Sequence, residues 1–263
     1  MLELLALPAA AGVTARAPLV FVHGAYVGAW CWAEHFLPWF AARGHDVYAV
    51  SLRGHGESAG RERLHSFGLA DFADDLASAL RGLERPPVLI GHSMGALVVQ
   101  TFLEREPGTA RAAVLLCPVP PFGVLPASFT LALTRPALFA EINALAFGGR
   151  ASRAALQEAL FAGPVEAERL ERYFRRMQPE SRRAILEMSG WGLPQTWRTA
   201  LPDTLVIGAE RDVLISPALA RSAAQLLGAE YLLLPGLGHA VMLEPGWRAA
   251  AEGLAGWLAE RGA

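Results

Sequence analysis

The sequence predicts an α/β protein: a doubly wound, mostly parallel sheet interrupted once by helices. Three observations predict it. Leu19–Val22, Val88–Ile90 and Ala113–Cys117 are unbroken apolar runs without polar alternation, which strands need when both faces are buried. Between these runs lie segments with apolar residues at helical spacing, so strand and helix alternate. From Pro118 onward the alternation stops. Pro118, Pro120, Pro121, Pro126, Pro136, Pro164 and Pro179 punctuate a stretch with helical spacing but no strand signal.

The elements follow in order. Residues 2–7 read as a first strand ended by Pro8, and Leu19–Val22 as the second. Trp30 to Ala42 repeats apolar residues helically (Trp32, Phe36, Trp39, Phe40) and is closed by Gly44. Asp46–Val50 is a strand, followed by the glycine-punctuated loop Ser51–Ser58. Phe72, Leu76, Leu80 and Leu83 form one helical face, with Asp71, Asp74 and Asp75 opposite. After the Val88 strand, a helix carries Leu97, Val98, Thr101 and Phe102 and stops at Pro107. In the proline-rich part, Ser152 N-caps a helix to Phe161. Glu166–Met177 and Arg182–Trp191 are further helices. Strand character returns at Thr204–Gly208, with a helix at Pro217–Leu227, a strand at Tyr231–Leu234 and a last helix at Trp247–Arg261. Domain organisation is therefore a core of 1–117 and 198–263 with a helical cap, 118–197, over the C-terminal edge of the sheet, where open α/β sheets bind ligands.

Composition excludes several function classes. The chain has 263 residues, is 53% hydrophobic, and carries a formal charge of −2, so neither nucleic acid nor an acidic membrane is an implied partner. All 23 basic residues are arginine. Without lysine there is no Schiff-base chemistry, Walker loop or Ser-x-x-Lys hydrolase. Cys31 and Cys117 form no disulfide framework and no C-x-x-C pair, and read as small buried hydrophobes. The N-terminal segment lacks a basic start and is interrupted by Glu3, so a strand is a better reading than a signal peptide. No apolar stretch reaches membrane-spanning length. The expectation is a soluble, cytoplasmic protein, monomer or homodimer, without metal or organic cofactor.

The chemistry centres on residues 91–95, Gly-His-Ser-Met-Gly, a G-x-S-x-G between strand and helix. A serine hydroxyl is presented to a base only from a sharp turn. Small residues two before and two after let strand and helix cross closely. The helix from Met94 then aims free N–H groups beside the serine oxygen. A serine nucleophile needs a base, and the base an orienting carboxylate. His239, on the glycine-flanked loop after the Tyr231 strand, is the base. His23 and His92 read as hydrogen-bonding loop residues, with His92 turned away from Ser93, and His35, His45, His55 and His65 as surface residues. Asp212, beyond the turn after the Thr204 strand, is the carboxylate; Glu210 is expected to pair with Arg211. The backbone N–H groups of Ala25 and Met94 would form the oxyanion hole.

Together, His23-Gly24, Gly54-His55-Gly56-Glu57-Ser58, Gly91 to Gly95, and Gly238-His239 with Glu244-Pro245 resemble the α/β-hydrolase fold superfamily across essentially the whole chain. The resemblance implies an eight-stranded sheet with the cap inserted after the sixth strand. His23 to Trp32 is similar to the branch of esterases and hydroxynitrile lyases. The lyases there use a pocket lysine that this chain lacks, and Ser93 in place of Asp separates it from haloalkane dehalogenases and epoxide hydrolases. The resemblance implies a carboxylic-ester hydrolase acting on a small-molecule substrate. Other serine-triad chemistry (C–C bond hydrolysis, thioester hydrolysis, perhydrolase reactions) and a non-catalytic ligand-binding member remain alternatives. Phe122, Phe129, Leu133, Phe139, Phe147, Trp191 and Trp197 suggest an apolar acyl or aryl pocket, although most of them are expected to pack the cap onto the core; Tyr26, Phe122 and Trp191 are the candidate substrate contacts. The arginines at 169, 172, 175, 176, 182 and 183 read as a solvated helix face paired with Glu168 and Glu171.

Overall fold

A computed structural model describes residues 1–263, the side chain of Trp197 excepted; that candidate pocket residue lies outside the described residues. Seven strands form one sheet in the order β1-β3-β2-β4-β5-β6-β7. They are β1 (Glu3–Leu7), β2 (Leu19–Val22), β3 (Val47–Ser51), β4 (Val88–His92), β5 (Ala112–Leu116), β6 (Asp203–Ala209) and β7 (Glu230–Leu234). All neighbours are parallel except β1, which runs antiparallel to β3 at the edge. The expected eighth strand is absent among the described residues. Residues 8–18, bracketed by Pro8 and Pro18, hang on the turn before β3: Ala9 N–H bonds Asp46 at 3.0 Å and Arg16 N–H bonds the Gly44 carbonyl at 2.8 Å.

The unbroken apolar runs have the expected cause. Leu19, Phe21, Val88, Ile90, Val114, Leu205 and Ile207 enter one buried cluster, while their alternates Val20, Val22, Leu89, Ala113, Leu115 and Val206 enter the other. Strands β2, β4, β5 and β6 thus bury both faces. The first face is covered by α1 (Trp30–Ala33), α2 (Phe36–Ala41) and α11 (Trp247–Glu260). The second is covered by α3 (Leu69–Leu80), α4 (Met94–Arg105) and α10 (Pro217–Leu227). The single helix expected over 30–42 is two short ones, because His35 leaves helical geometry at φ −141°.

Between β5 and β6 lie α5 (Leu125–Thr134), α6 (Pro136–Ala146), α7 (Arg153–Leu160), α8 (Ala167–Arg176) and α9 (Arg182–Met188). The insertion follows the fifth strand, not the sixth, because the sheet is one strand shorter. Ser152 caps α7 as its sequence suggests, its hydroxyl accepting from Ala155 N–H at 3.1 Å. The insertion has a small core of its own at Leu131, Leu138, Ala155 and Ala159. It also feeds Phe161 and Tyr173 into one half of the main core and Ala184 and Met188 into the other.

Candidate active site

Strands β2 and β4 are neighbours while β3 lies beyond β2, so the winding direction reverses between them. An open α/β sheet leaves a crevice outside the strand ends at such a point. The His23–Ala25 loop leaves β2 there and Ser93 leaves β4. Ser93 sits at φ +53°, ψ −117°, strained for a side-chain-bearing residue. Its N–H donates to the Leu116 carbonyl at 3.0 Å, and its own carbonyl accepts from Ala96 and Val119. The flanking glycines are required by contact. A Cβ on Gly95 would stand 2.5 Å from the carbonyl oxygens of Val22 and His23, and one on Gly91 would overlap α4 backbone. A Cβ on Gly24 would meet His92 Nδ1 at 2.8 Å and Ser93 Cβ at 3.2 Å. Among the described residues, neither Ala25 N–H nor Met94 N–H has a hydrogen-bond acceptor.

Asp212 and His239 leave the neighbouring strands β6 and β7 and meet. Asp212 Oδ2 lies 2.7 Å from His239 Nδ1, and Oδ1 accepts from the N–H groups of Leu214 and Ile215, both at 2.8 Å. Both side chains are buried. The His239 loop is held from three sides. Buried Glu244, whose carboxyl desolvation pushes up in pKa, accepts from Gly238 N–H at 2.8 Å and Ala162 N–H at 2.6 Å. Ala240 N–H bonds the Leu160 carbonyl at 2.8 Å. His92 Nε2–H donates to the His239 carbonyl at 2.9 Å, so His92 supports the loop. Burial, with the His239 ring beside it, holds His92 neutral down to about 3. Glu210 does not pair with Arg211; it accepts from Gly236 N–H at 2.8 Å.

Cys117, at the end of β5, is buried with its thiol against Asp212; burial first and then that carboxylate push its pKa up. Donor atoms of Cys117, Asp212 and His239 all lie within 4.8 Å of one another. A 2.7 Å His–Asp separation is that of a shared proton, shorter than two ligands of one tetrahedral ion at about 2.0 Å each would show.

Two histidines assigned to the surface are buried. His45 donates to the Ala17 carbonyl at 2.8 Å. His55, within the Gly54–Ser58 loop, bonds Glu180 of the insertion at 3.0 Å, both side chains fully buried. Beside it, His23 accepts from Leu52 N–H at 3.0 Å and bonds the Gly24 carbonyl at 2.8 Å. Burial, and then the nearby His55, hold His23 neutral down to about 3. His35 is half-buried against Trp247, and His65 is exposed.

Ser93 and His239 line one cavity of about 140 Å³, together with Ala25, Tyr26, Trp30, Leu145, Phe161, Tyr173, Phe174 and Met242 among others. No lining residue carries a carboxylate or guanidinium. Tyr26 is where a substrate-contacting residue was expected. Phe122 is half-buried away from the cavity, and Trp191 is 72% exposed and also outside it. Phe129 and Phe147 also face outward. The short, proline-bounded helices turn their apolar residues in more directions than a single face predicts. The arginines of α8 and α9 are exposed except for half-buried Arg169: Arg175 pairs with Glu171 at 2.9 Å, Arg172 with Glu34 at 2.7 Å, and Arg183 with Glu187 at 2.8 Å.

Residues 19–251 match the model of the alpha/beta hydrolase family. The chain is 28% identical to the monoacylglycerol lipase of Mycolicibacterium smegmatis over 238 residues, 86% of this chain and 82% of that protein. It is 33% identical to salicylic acid-binding protein 2 of Nicotiana tabacum over 115 residues, 43% of this chain and 43% of that protein. Among solved structures, an esterase from Exiguobacterium antarcticum superposes with a TM-score of 0.75 at 16% identity, over 98% of this chain and 95% of that one. A bromoperoxidase from Bacillus anthracis gives 0.76 at 18% identity with the same coverage. No helix among the described residues is long and apolar enough to cross a membrane. With the sheet order, the serine elbow and a family match spanning nearly all of the sequence, this chain belongs to the α/β-hydrolase family.

Proposed function

We propose that this protein is a serine hydrolase that cleaves carboxylic esters of a small or medium apolar acyl or aryl group through an acyl-enzyme. The reading is carried by the 2.7 Å contact of His239 with Asp212, on the rim of the cavity that Ser93 also lines. His239 Nε2 takes the Ser93 proton as the hydroxyl oxygen attacks the carbonyl carbon. Asp212 holds the Nδ1–H tautomer and stabilises the imidazolium. The oxyanion is received by Ala25 and Met94 N–H, each such donor being worth about 10²–10³ in rate. The imidazolium protonates the departing alcohol. The neutral imidazole left behind then takes a proton from water as its oxygen attacks the acyl-enzyme carbonyl, and returns that proton to the Ser93 oxygen as the acid departs. Every step uses this chain's own groups and water.

The insertion 118–197 acts as the cap, closing the cavity from above with Leu145, Phe161, Tyr173 and Phe174. A lining without formal charge favours a neutral apolar acyl group over an anionic substrate. The name of the mycobacterial monoacylglycerol lipase that it resembles fits an ester substrate. A p-nitrophenyl ester series from acetate to dodecanoate tests the reading. Turnover should peak at short or medium chains, an organophosphonate should label Ser93, and Ser93→Ala should fold normally yet lose hydrolysis. Full activity in that variant would remove Ser93 from the mechanism.

A further inference from the structure

The buried pair His55–Glu180 contacts none of the groups assigned to chemistry, yet it meets the oxyanion loop. Tyr26, the residue after Ala25, has φ +68°, left-handed backbone that a side-chain-bearing residue adopts only where its surroundings enforce it. Both of its backbone groups are held by the insertion. Tyr26 N–H donates to Glu180 Oε2 at 3.2 Å, and its carbonyl accepts from Gln178 N–H at 2.9 Å. The other Glu180 oxygen accepts from Ser181 N–H at 2.6 Å. The Gln178 side chain bridges the Gly54–Ser58 loop, accepting from Gly56 N–H at 2.8 Å and donating to the Gly54 carbonyl at 2.9 Å.

Glu180 would be a costly residue to bury alone. His55 supplies the counter-charge. Its Nε2 faces Glu180 at 3.0 Å and its Nδ1 faces the Arg53 carbonyl at 3.2 Å. With an acceptor at both ring nitrogens, the imidazolium is the form that satisfies both. Burial opposes that charge, and the Glu180 carboxylate outweighs it, so His55 lies above its ordinary value and Glu180 below. The adjacent His23 ring, 5.0 Å away, accepts a backbone N–H and stays neutral.

We propose that Glu180, charged and fixed by His55, is a positioning residue of the oxyanion hole. It locks Tyr26 in its strained conformation and so aims Ala25 N–H, coupling the cap to the chemistry without touching substrate. This rests on the esterase reading above. It assigns a role to a segment that connects α8 to α9 and carries no recognisable motif.

The test compares wild type with Glu180→Ala and the isosteric Glu180→Gln, which keeps the shape if the alanine variant fails to fold. Rates are taken per organophosphonate-titrated site. The expected result for Glu180→Ala is a kcat lower by about 10²-fold, KM changed by less than about threefold, and a smaller loss for Glu180→Gln. The affinity of a trifluoromethyl ketone, whose tetrahedral adduct carries the oxyanion, should fall in parallel with kcat/KM. A residue of merely structural importance would lower the titrated fraction and melting temperature but leave kcat per site intact, and that result overturns the proposal. Amide exchange of residues 25–27 reads the same loop without catalysis and should quicken in both variants. If wild type cleaves no ester, the esterase reading fails; unchanged exchange at 25–27 would separately show that Glu180 does not hold the loop.

Discussion

At the scale of single residues, the site is built from groups whose conformation or charge their neighbours compel. Ser93 and Tyr26 hold positive φ without being glycine. Asp212 has both carboxylate oxygens committed, one to two backbone N–H groups and one to His239. In the proposed mechanism it fixes the imidazole tautomer, and Asp212→Asn keeps the shape while presenting the wrong hydrogen-bonding pattern. That variant should keep its melting temperature and lose about 10⁴ in kcat; activity within tenfold of wild type would place the orienting carboxylate elsewhere. Much of this was legible in the sequence. Ser93, Asp212 and His239 lie in chain order at strand ends with the glycines their turns need. His55 was not, because a histidine in a polar glycine loop looks solvated until a remote acid is known to cover it. Glu180 was less legible still, since its partners lie 125 and 154 positions away.

At the scale of elements, α4 presses on β2 so closely that a methyl group is decisive. Gly95→Ala would drive a Cβ into the Val22 and His23 carbonyls, immovable backbone of a central strand. The expected cost is about 1–3 kcal/mol, with a matching drop in the urea midpoint. The same substitution at Gly256 in α11, where nothing lies within 4 Å of the added Cβ, should instead stabilise by about 0.5–1 kcal/mol, as Gly→Ala does inside a helix. Equal effects at the two sites would contradict the packing described. The core elements were readable because burial on both faces writes a continuous apolar run. The insertion was readable only as a set of helices. Which of its side chains face the cavity depends on how five short helices cross, and no local pattern encodes that.

Over the whole molecule, buried histidines tie stability to acidity. His23 and His92 keep folded values of about 3 against an ordinary 6.5. Between those limits the unfolded chain binds protons that the folded chain refuses. Stability therefore falls as pH drops through that window, by about 1.4 kcal/mol per unit for each histidine. The His55–Glu180 pair acts otherwise. The His55 contribution is present at acid pH and lost as pH rises through its raised value, while the Glu180 contribution is lost only below the ordinary carboxylate range. Urea midpoints should be highest near neutrality and decline steadily from pH 6.5 towards 4. A flat profile there would mean the two neutral histidines are not buried as described.

The amino-acid sequence alone determined the alternation of strand and helix, the interruption of that alternation by helices, and the candidate residues Ser93, Asp212 and His239. Each of these is written in neighbours: apolar runs, glycines at fixed offsets, polar residues just past strand ends. The tertiary structure decided the strand count, the apolar cavity between insertion and core, and the hydrogen bond from Tyr26 N–H to Glu180. Those depend on contacts between segments far apart in the chain, where hydrogen-bond geometry and exclusion of water, rather than local pattern, select the partner.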